Sequence, residues 1–284
     1  MKVTSGRISQ EDREFYKTNG YWVSPVLFDE QEIEDMRKAH DRIWSFDYDG
    51  DGFPLDEWRP NSNPKMLRKI DNSWWINDTI KNTVTNPILG QIAAGLMDST
   101  EARLWYDQVI YKPGTGKSDK DTQASGNVGW HQDYIYWRCT NHENLVTAWI
   151  ALQDTDLTNG CMSVVPGSHT WGLLEGSDAF FNRDLESVKS RIAQESGKDW
   201  KEVPLLLKAG QVSFHHAYTI HGSGQNHSDH PRLSVVAHLM PHGTAYKNRG
   251  HNVDNIRLLG PRPKEGQLFD NDYFPIAYSA ETEQ

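Results

Sequence analysis

The chain has 284 residues, enough for one large domain or two small ones, and enough to bury a core without disulfide staples. Its 29 Lys and Arg against 39 Asp and Glu leave a net charge of −10, which excludes nucleic acid or an anionic membrane surface as the natural partner. No run reaches the ~18 apolar residues of a membrane span, and the opening Met1 to Arg7 lacks the apolar stretch of a signal peptide. The expectation is a cytoplasmic protein. Cys139 and Cys161 do not form a Cys-x-x-Cys pair, so both are read as free thiols in a reducing compartment. Twelve His and eleven Trp point toward metal chemistry and an aromatic-lined pocket.

In chain order, Ser9 with Asp12 opens a helix and Asn19-Gly20 stops it. Tyr21 to Val23 is a short extended run. Asp29 with Glu32 opens a second helix, with Ile33, Met36, Ile43 and Trp44 on one face. A third opens at Asn86 with Pro87 in its first turn and carries the stripe Ile88, Leu89, Ile92, Ala93, Leu96 and Met97. From about residue 103 the period changes to two: Leu104, Tyr106, Gln108 and Ile110 alternate with Trp105, Asp107, Val109 and Tyr111. Further strands are expected over Leu145–Leu152, Met162–Val165, Val203–Leu207, Gln211–Phe214 and Leu233–Met240, divided by turn residues. Helices first and strands later predict an α+β chain with a jelly-roll core. One domain over 1–284 is expected: a helical part over about 1–100, a core over about 101–242 with a long insert at 172–202 that is helical in its middle, and an irregular tail over 243–284.

The chemistry is concentrated in Trp130-His131-Gln132-Asp133-Tyr134. In extended chain, residues two apart point the same way, so His131 and Asp133 aim at one point. His221 opens His-Gly-Ser-Gly-Gln-Asn ninety residues later. Two histidines and one carboxylate on one face of a metal form the facial triad of non-haem Fe(II) oxygenases, with positions left open for a 2-oxo acid and dioxygen. The distal carboxylate of 2-oxoglutarate needs a charged, preferably bidentate partner. Arg232, eleven residues after His221, supplies it, and Ser223 adds a hydroxyl.

His-x-Asp, then Pro-Gly-Ser-His, then His-Gly-Ser-x-x-Asn with Arg eleven after the His resembles the phytanoyl-CoA dioxygenase family over about residues 10–242. The resemblance implies a double-stranded β-helix (cupin-like jelly roll) with flanking N-terminal helices. It implies iron on His131, Asp133 and His221, and 2-oxoglutarate held by Arg232 and Ser223 with contacts from Trp149, Gln108 and Lys69. Decarboxylation of the co-substrate to succinate and carbon dioxide would accompany hydroxylation of an unactivated C–H bond of a small organic molecule. Desaturation, epoxidation or rearrangement by the same cofactor chemistry is an alternative; a non-catalytic metal-binding jelly roll is another, which Arg232 and Ser223 argue against. Halogenating relatives replace the carboxylate ligand by a small residue, and Asp133 is intact. Tyr134, Tyr136 and Trp137 follow the metal motif and are expected to line the pocket mouth. No Lys/Arg cluster suits the phosphates of a CoA thioester, and oligomeric state is not legible.

Four decoys are set aside. Gly116-Lys117-Ser118 has Tyr111 where a P-loop needs Gly. Asp47-x-Asp49-x-Asp51-Gly52 has Trp58 at the twelfth position of a calcium loop. Of His215 and His216, one is expected to face the pocket and the other to pack. His169 is expected in a turn.

Overall fold

The computed structural model describes residues 6–50, 55–56, 66–116, 126–249 and 253–281. Helices dominate the first hundred residues: α1 (Gln10–Asn19), α2 (Glu30–Trp44), α3 (Asp78–Val84) and α4 (Pro87–Leu96). Ser9 and Asp12 form a full capping box on α1, and Gly20 ends it at φ 75°, a left-handed conformation that glycine takes without steric penalty. Asp29 and Glu32 cap α2 in the same way. Asn86 accepts from the Ile88 and Leu89 amides ahead of Pro87. The third helix, α3, has no counterpart among the sequence expectations. It is only two turns long, and the exposed Lys81 and Asn82 break its apolar stripe.

The strands are β1 (Tyr21–Val23), β2 (Leu55–Asp56), β3 (Arg68–Asp71), β4 (Glu101–Lys112), β5 (Val128–His131), β6 (Val146–Ala151), β7 (Met162–Val164), β8 (Val203–Pro204), β9 (Val212–His216), β10 (His221–Ser223), β11 (Arg232–Pro241) and β12 (Ile276–Ser279). They form two antiparallel sheets. The larger runs β1-β9-β6-β11-β4-β3-β2 with β12 also on β4, and the smaller runs β5-β10-β7-β8. The structure is therefore a mixture of helices and antiparallel sheet.

Register sorts the large sheet into two chemically different faces. Alternate residues point to opposite sides, so the partners Arg232↔Lys112, Val236↔Gln108, His238↔Tyr106, Val236↔Trp149, Thr147↔His215 and Asp71↔Gln108 share one side. The residues between them, Val109, Val146, Ala148, Ile150, Val212, Phe214, Val235 and Ala237, pack with Ile33, Met36, Ile43, Leu89, Ile92 and Leu96 in the main core. Sealing one face with helices leaves the other free to carry polar groups against the small sheet.

The insert at 172–202 holds a helix in its middle as expected, α5 (Leu185–Ser196), but the tail departs from expectation. The tail is more ordered than its composition suggests: α6 (Val253–Leu258) and β12 lie within it, and β12 pairs with β4. Phe269 and Phe274 of the tail pack on Trp105 at ring distances of 4.7 and 5.7 Å. A four-residue strand among Pro, Gly and Asp carries no periodic signal of its own. Cys139 and Cys161 are free and buried.

Candidate active site

A cavity of about 250 Å³ lies between the two sheets. The small sheet brings Val128, His131, Met162, His221 and Ser223 to it. The large sheet brings Lys69, Asp71, Tyr106, Gln108, Ile110, Thr147, Trp149, His215, Arg232, Val236 and His238.

His131 and His221 are direct cross-strand partners of β5 and β10, with rings 4.1 Å apart. Asp133 sits not on a strand but at the start of a 3-10 turn, Asp133–Tyr136. Gln132 before it is extended, at φ −109° and ψ 130°, so His131 and Asp133 still point the same way. The ligand atoms of His131, Asp133 and His221 lie within 4.8 Å of one another, and all three residues are buried. Asp133 Oδ1 is 3.5 Å from His131 Nε2 and 3.7 Å from His221 Nε2.

The surroundings prepare those atoms for a cation. Nδ1 of His131 lies 2.7 Å from the Gly129 carbonyl, and Nδ1 of His221 lies 3.0 Å from the Thr219 carbonyl. A carbonyl accepts only, so each Nδ1 carries a hydrogen, and Nε2 is the nitrogen left to face a metal. Thr147 Oγ1 donates to Asp133 Oδ2 at 2.6 Å, which leaves Oδ1 turned to the two rings. Burial works to raise the Asp133 pKa, but His221, His131, His215 and His238 outweigh it and hold the carboxyl well below the usual carboxylate range. Burial, reinforced by His131 and His215, pushes His221 well below the ordinary imidazole value. An anionic carboxylate and neutral imidazoles are the protonation states a divalent metal requires. The residues present fit an iron ion.

At the other end of the cavity Arg232 is buried, its Nη1 donating to the Gly160 carbonyl at 2.5 Å. Its guanidinium lies 5.1 Å from the Trp149 ring centroid, and its Nε has no partner among the described residues. Burial lowers its pKa to about 10, so the cation persists at neutral pH. Ser223 lines the same end. A buried cation with an unused donor and a hydroxyl beside it fit a carboxylate.

Residues 16–234 match the phytanoyl-CoA dioxygenase (PhyH) family. The chain belongs to that family, and it is an iron- and 2-oxoglutarate-dependent oxygenase. It is 26% identical over 225 residues to a probable alpha-ketoglutarate-dependent hypophosphite dioxygenase of Stutzerimonas stutzeri, covering 78% of this chain and 74% of that protein. It is 25% identical over 258 residues to the peroxisomal phytanoyl-CoA dioxygenase of Bos taurus, covering 88% and 74%. Among solved structures it resembles the epimerase SnoN in complex with Fe3+, alpha ketoglutarate and nogalamycin RO. There the TM-score is 0.72 at 26% identity, over 94% of this chain and 98% of that one.

Within this oxygenase the cavity gathers His131, Asp133, His221, Arg232, Ser223, Trp149, Gln108, Lys69 and Tyr136. Lys69 spends its ammonium on Asp71, 2.6 Å from both carboxylate oxygens. Tyr134 and Trp137 do not line the cavity, contrary to expectation. The 3-10 turn fans successive side chains apart, and both pack with Cys139, Met240, Phe269 and Phe274 in a separate cluster. The Tyr134 hydroxyl donates to the Thr140 carbonyl at 3.1 Å. Trp137 acts from behind the wall: its Nε1 donates to the Tyr106 hydroxyl at 3.1 Å.

His215 faces the cavity, 3.5 Å from Asp133 Oδ2, whereas His216 packs on His169 and Tyr218. His169 lies in a 3-10 turn with its Nε2 3.0 Å from the Lys17 carbonyl. Asp47 and Asp49 are held by Arg42 at 2.7 and 2.6 Å; Asp51, Gly52, Trp58, Lys117 and Ser118 lie outside the described residues.

Sequence reasoning missed Thr147, His238, Tyr106, Phe180 and Phe181. Thr147 and His238 had a findable signal, since each is an even number of residues from Trp149 or Arg232 on the same strand. Phe180 and Phe181 had none. They sit in the insert, where no period applies, yet the Phe180 ring lies 5.1 Å from that of His131.

Proposed function

We propose that this oxygenase hydroxylates an unactivated C–H bond of a small organic metabolite, with release of succinate and carbon dioxide. The observation that carries the reading is the convergence of His131, Asp133 and His221 within 4.8 Å, in one cavity with the buried Arg232. Residues 1–284 act as one oxygenase domain, and the two sheets form a double-stranded β-helix. His131, Asp133 and His221 hold the iron; Arg232 and Ser223 hold the distal carboxylate of 2-oxoglutarate; Trp149 and Gln108 line its channel. Lys69, paired with Asp71, stands at the edge of that channel. Iron, 2-oxoglutarate and dioxygen together supply the oxidising chemistry.

The chain's own residues then do three things. Thr147 holds Asp133 so that one oxygen faces the metal. The Gly129 and Thr219 carbonyls fix the imidazole tautomers. Phe180, Phe181 and Tyr136 cover the site with apolar surface that excludes water and receives the substrate. A cavity of about 250 Å³ suits a small molecule, and the net charge of −10 disfavours a polyphosphorylated one. The likeness to an epimerase at 26% identity supports a second reading, in which the same C–H activation ends in rearrangement. Among the described residues no helix is long and apolar enough to cross a membrane, and we place the enzyme in the cytoplasm.

The test is anaerobic addition of Fe(II) and then 2-oxoglutarate to metal-free protein. The weak visible charge-transfer band of a chelated 2-oxo acid is the expected result. Asp133→Ala should abolish it and weaken iron binding by more than the roughly 10–100-fold cost of losing a mere neighbour of a ligand. A wild-type protein that is folded but gives no band overturns the reading; product analysis with candidate substrates separates hydroxylation from epimerisation.

A further inference from the structure

Lys112 closes β4 directly opposite Arg232 on β11, and both side chains are buried, with relative exposures of 0% and 2%. Like charges side by side across a ladder repel, and each buried cation carries a desolvation cost. Yet no Asp or Glu of the described residues forms an ion pair with either, and burial together with the Arg232 guanidinium pushes the Lys112 amine well below the ordinary lysine pKa. A buried guanidinium beside a buried amine, with no carboxylate counter-ion among the described residues, marks a place where an anion arrives from outside.

The hydrogen bonds show how Lys112 meets that anion. Its Nζ donates to Ser223 Oγ at 2.6 Å and to the Gly224 carbonyl at 2.5 Å. With Nζ donating one hydrogen to the Gly224 carbonyl and another to Ser223 Oγ, the serine oxygen is the acceptor and its own hydrogen must point elsewhere. No acceptor for that hydrogen exists among the hydrogen bonds of the described residues. Ser223 lines the cavity and Lys112 does not. The lysine therefore stands behind the serine and turns the hydroxyl proton into the cavity, toward the end occupied by Arg232.

We infer that Lys112 is a positioning residue for 2-oxoglutarate: it fixes the Ser223 hydroxyl as a donor to the distal carboxylate. The inference rests on the proposed assignment of that carboxylate to Arg232 and Ser223. A purely structural lysine, present only to tie down the turn at Gly224, would support the cavity as a whole and would not distinguish one 2-oxo acid from another.

The experiment compares two ligands on the full Fe(II)-loaded chain under anaerobic conditions, followed by the charge-transfer band and by calorimetry: 2-oxoglutarate, and 2-oxopentanoate, which carries a methyl group in place of the distal carboxylate. Lys112→Met should weaken 2-oxoglutarate by about tenfold or more, the scale of a charge-assisted hydrogen bond, while 2-oxopentanoate shifts by less than about twofold. In the Ser223→Ala background the same change should cost clearly less, because the lysine acts through the serine. If Lys112→Met does not fold, Lys112→Gln, whose amide nitrogen ends one bond short of the lysine Nζ that reaches Ser223, carries the same comparison. Equal weakening of both ligands, or of neither, overturns the inference and leaves the cofactor assignment standing. A wild-type protein that does not prefer 2-oxoglutarate overturns both.

Discussion

At the scale of single residues, Asp107 and His40 take no part in the proposed chemistry, yet they bend the stability of the protein in opposite directions. Burial raises the Asp107 pKa from 3.8 to about 7, against hydrogen bonds from Ser73 and the Trp74 amide. The folded state thus keeps a proton that the unfolded chain has lost, and stability falls as pH rises from about 4 to 7. Burial lowers His40 from 6.5 to about 4, against its bond to the Ser234 carbonyl. Here the unfolded chain binds the extra proton, and stability falls as pH drops through the same range. Each slope approaches about 1.4 kcal/mol per pH unit, so between pH 4 and 6.5 the two nearly cancel. Asp107→Asn should therefore lose stability on acidification more steeply than wild type, and His40→Gln should gain it relative to wild type. Urea midpoints at pH 4.5 and 6.5 check both. Variants that track the wild-type slope would show that these groups do not titrate as described. The same residue scale explains why the candidate metal triad was legible. His131 and Asp133 are linked by local geometry, and His221, ninety residues on, is a metal-ligand type whatever its partner. Lys112 was not legible, because its meaning depends on a partner 111 residues away.

At the scale of elements, the segment over the site is held by a glycine. The amide of Gly129 on β5 donates to the Phe180 carbonyl at 3.1 Å, and the Phe180 amide donates to the Tyr136 hydroxyl at 3.1 Å. Asn127 and Arg183 exchange further bonds beside them. A Cβ at position 129 would run into the backbone carbonyls of Ala179 and Asn182. Neither can yield without moving the strand-to-helix connection. Gly129→Ala should cost about 1–3 kcal/mol and raise KM for the organic substrate more than KM for 2-oxoglutarate, because Phe180 and Phe181 shift while Arg232 does not. Unchanged kinetics and midpoint would mean that this segment has no fixed seat. Elements with end signals, α1, α2 and α4, were readable from their caps. Those lacking them, α3 and β12, were hidden because neighbours, not their own periodicity, give them their form.

At the scale of the whole molecule, the tail belongs to the core. Trp105 of β4 stacks on Phe274 and meets Phe269 edge-on, and Gly90 of α4 abuts Ala277 so closely that a Cβ there would collide with its backbone. Phe274→Ala should cost about 3–5 kcal/mol, read from urea denaturation. A loss below 1 kcal/mol would show the tail to be an appendage. The sequence pattern had stopped the core at residue 242, since strand alternation ends there and aromatic residues scattered among Asp, Gly and Pro announce no partner.

The division of the large sheet into an apolar side and a reactive side has an evolutionary corollary. Arg232, Trp149, Gln108, Thr147 and His215 belong to four strands but to one parity, and inserting or deleting a single residue within any of those strands would turn its contribution toward the helices. Cavity-lining side chains such as those at 71, 106 and 136 can be exchanged, and the loops that end the strands lengthened, without disturbing that parity. A length change between these residues would reverse a face; the register shift in the β4–β11 ladder, between His238 and Leu239, lies beyond Gln108 and Arg232.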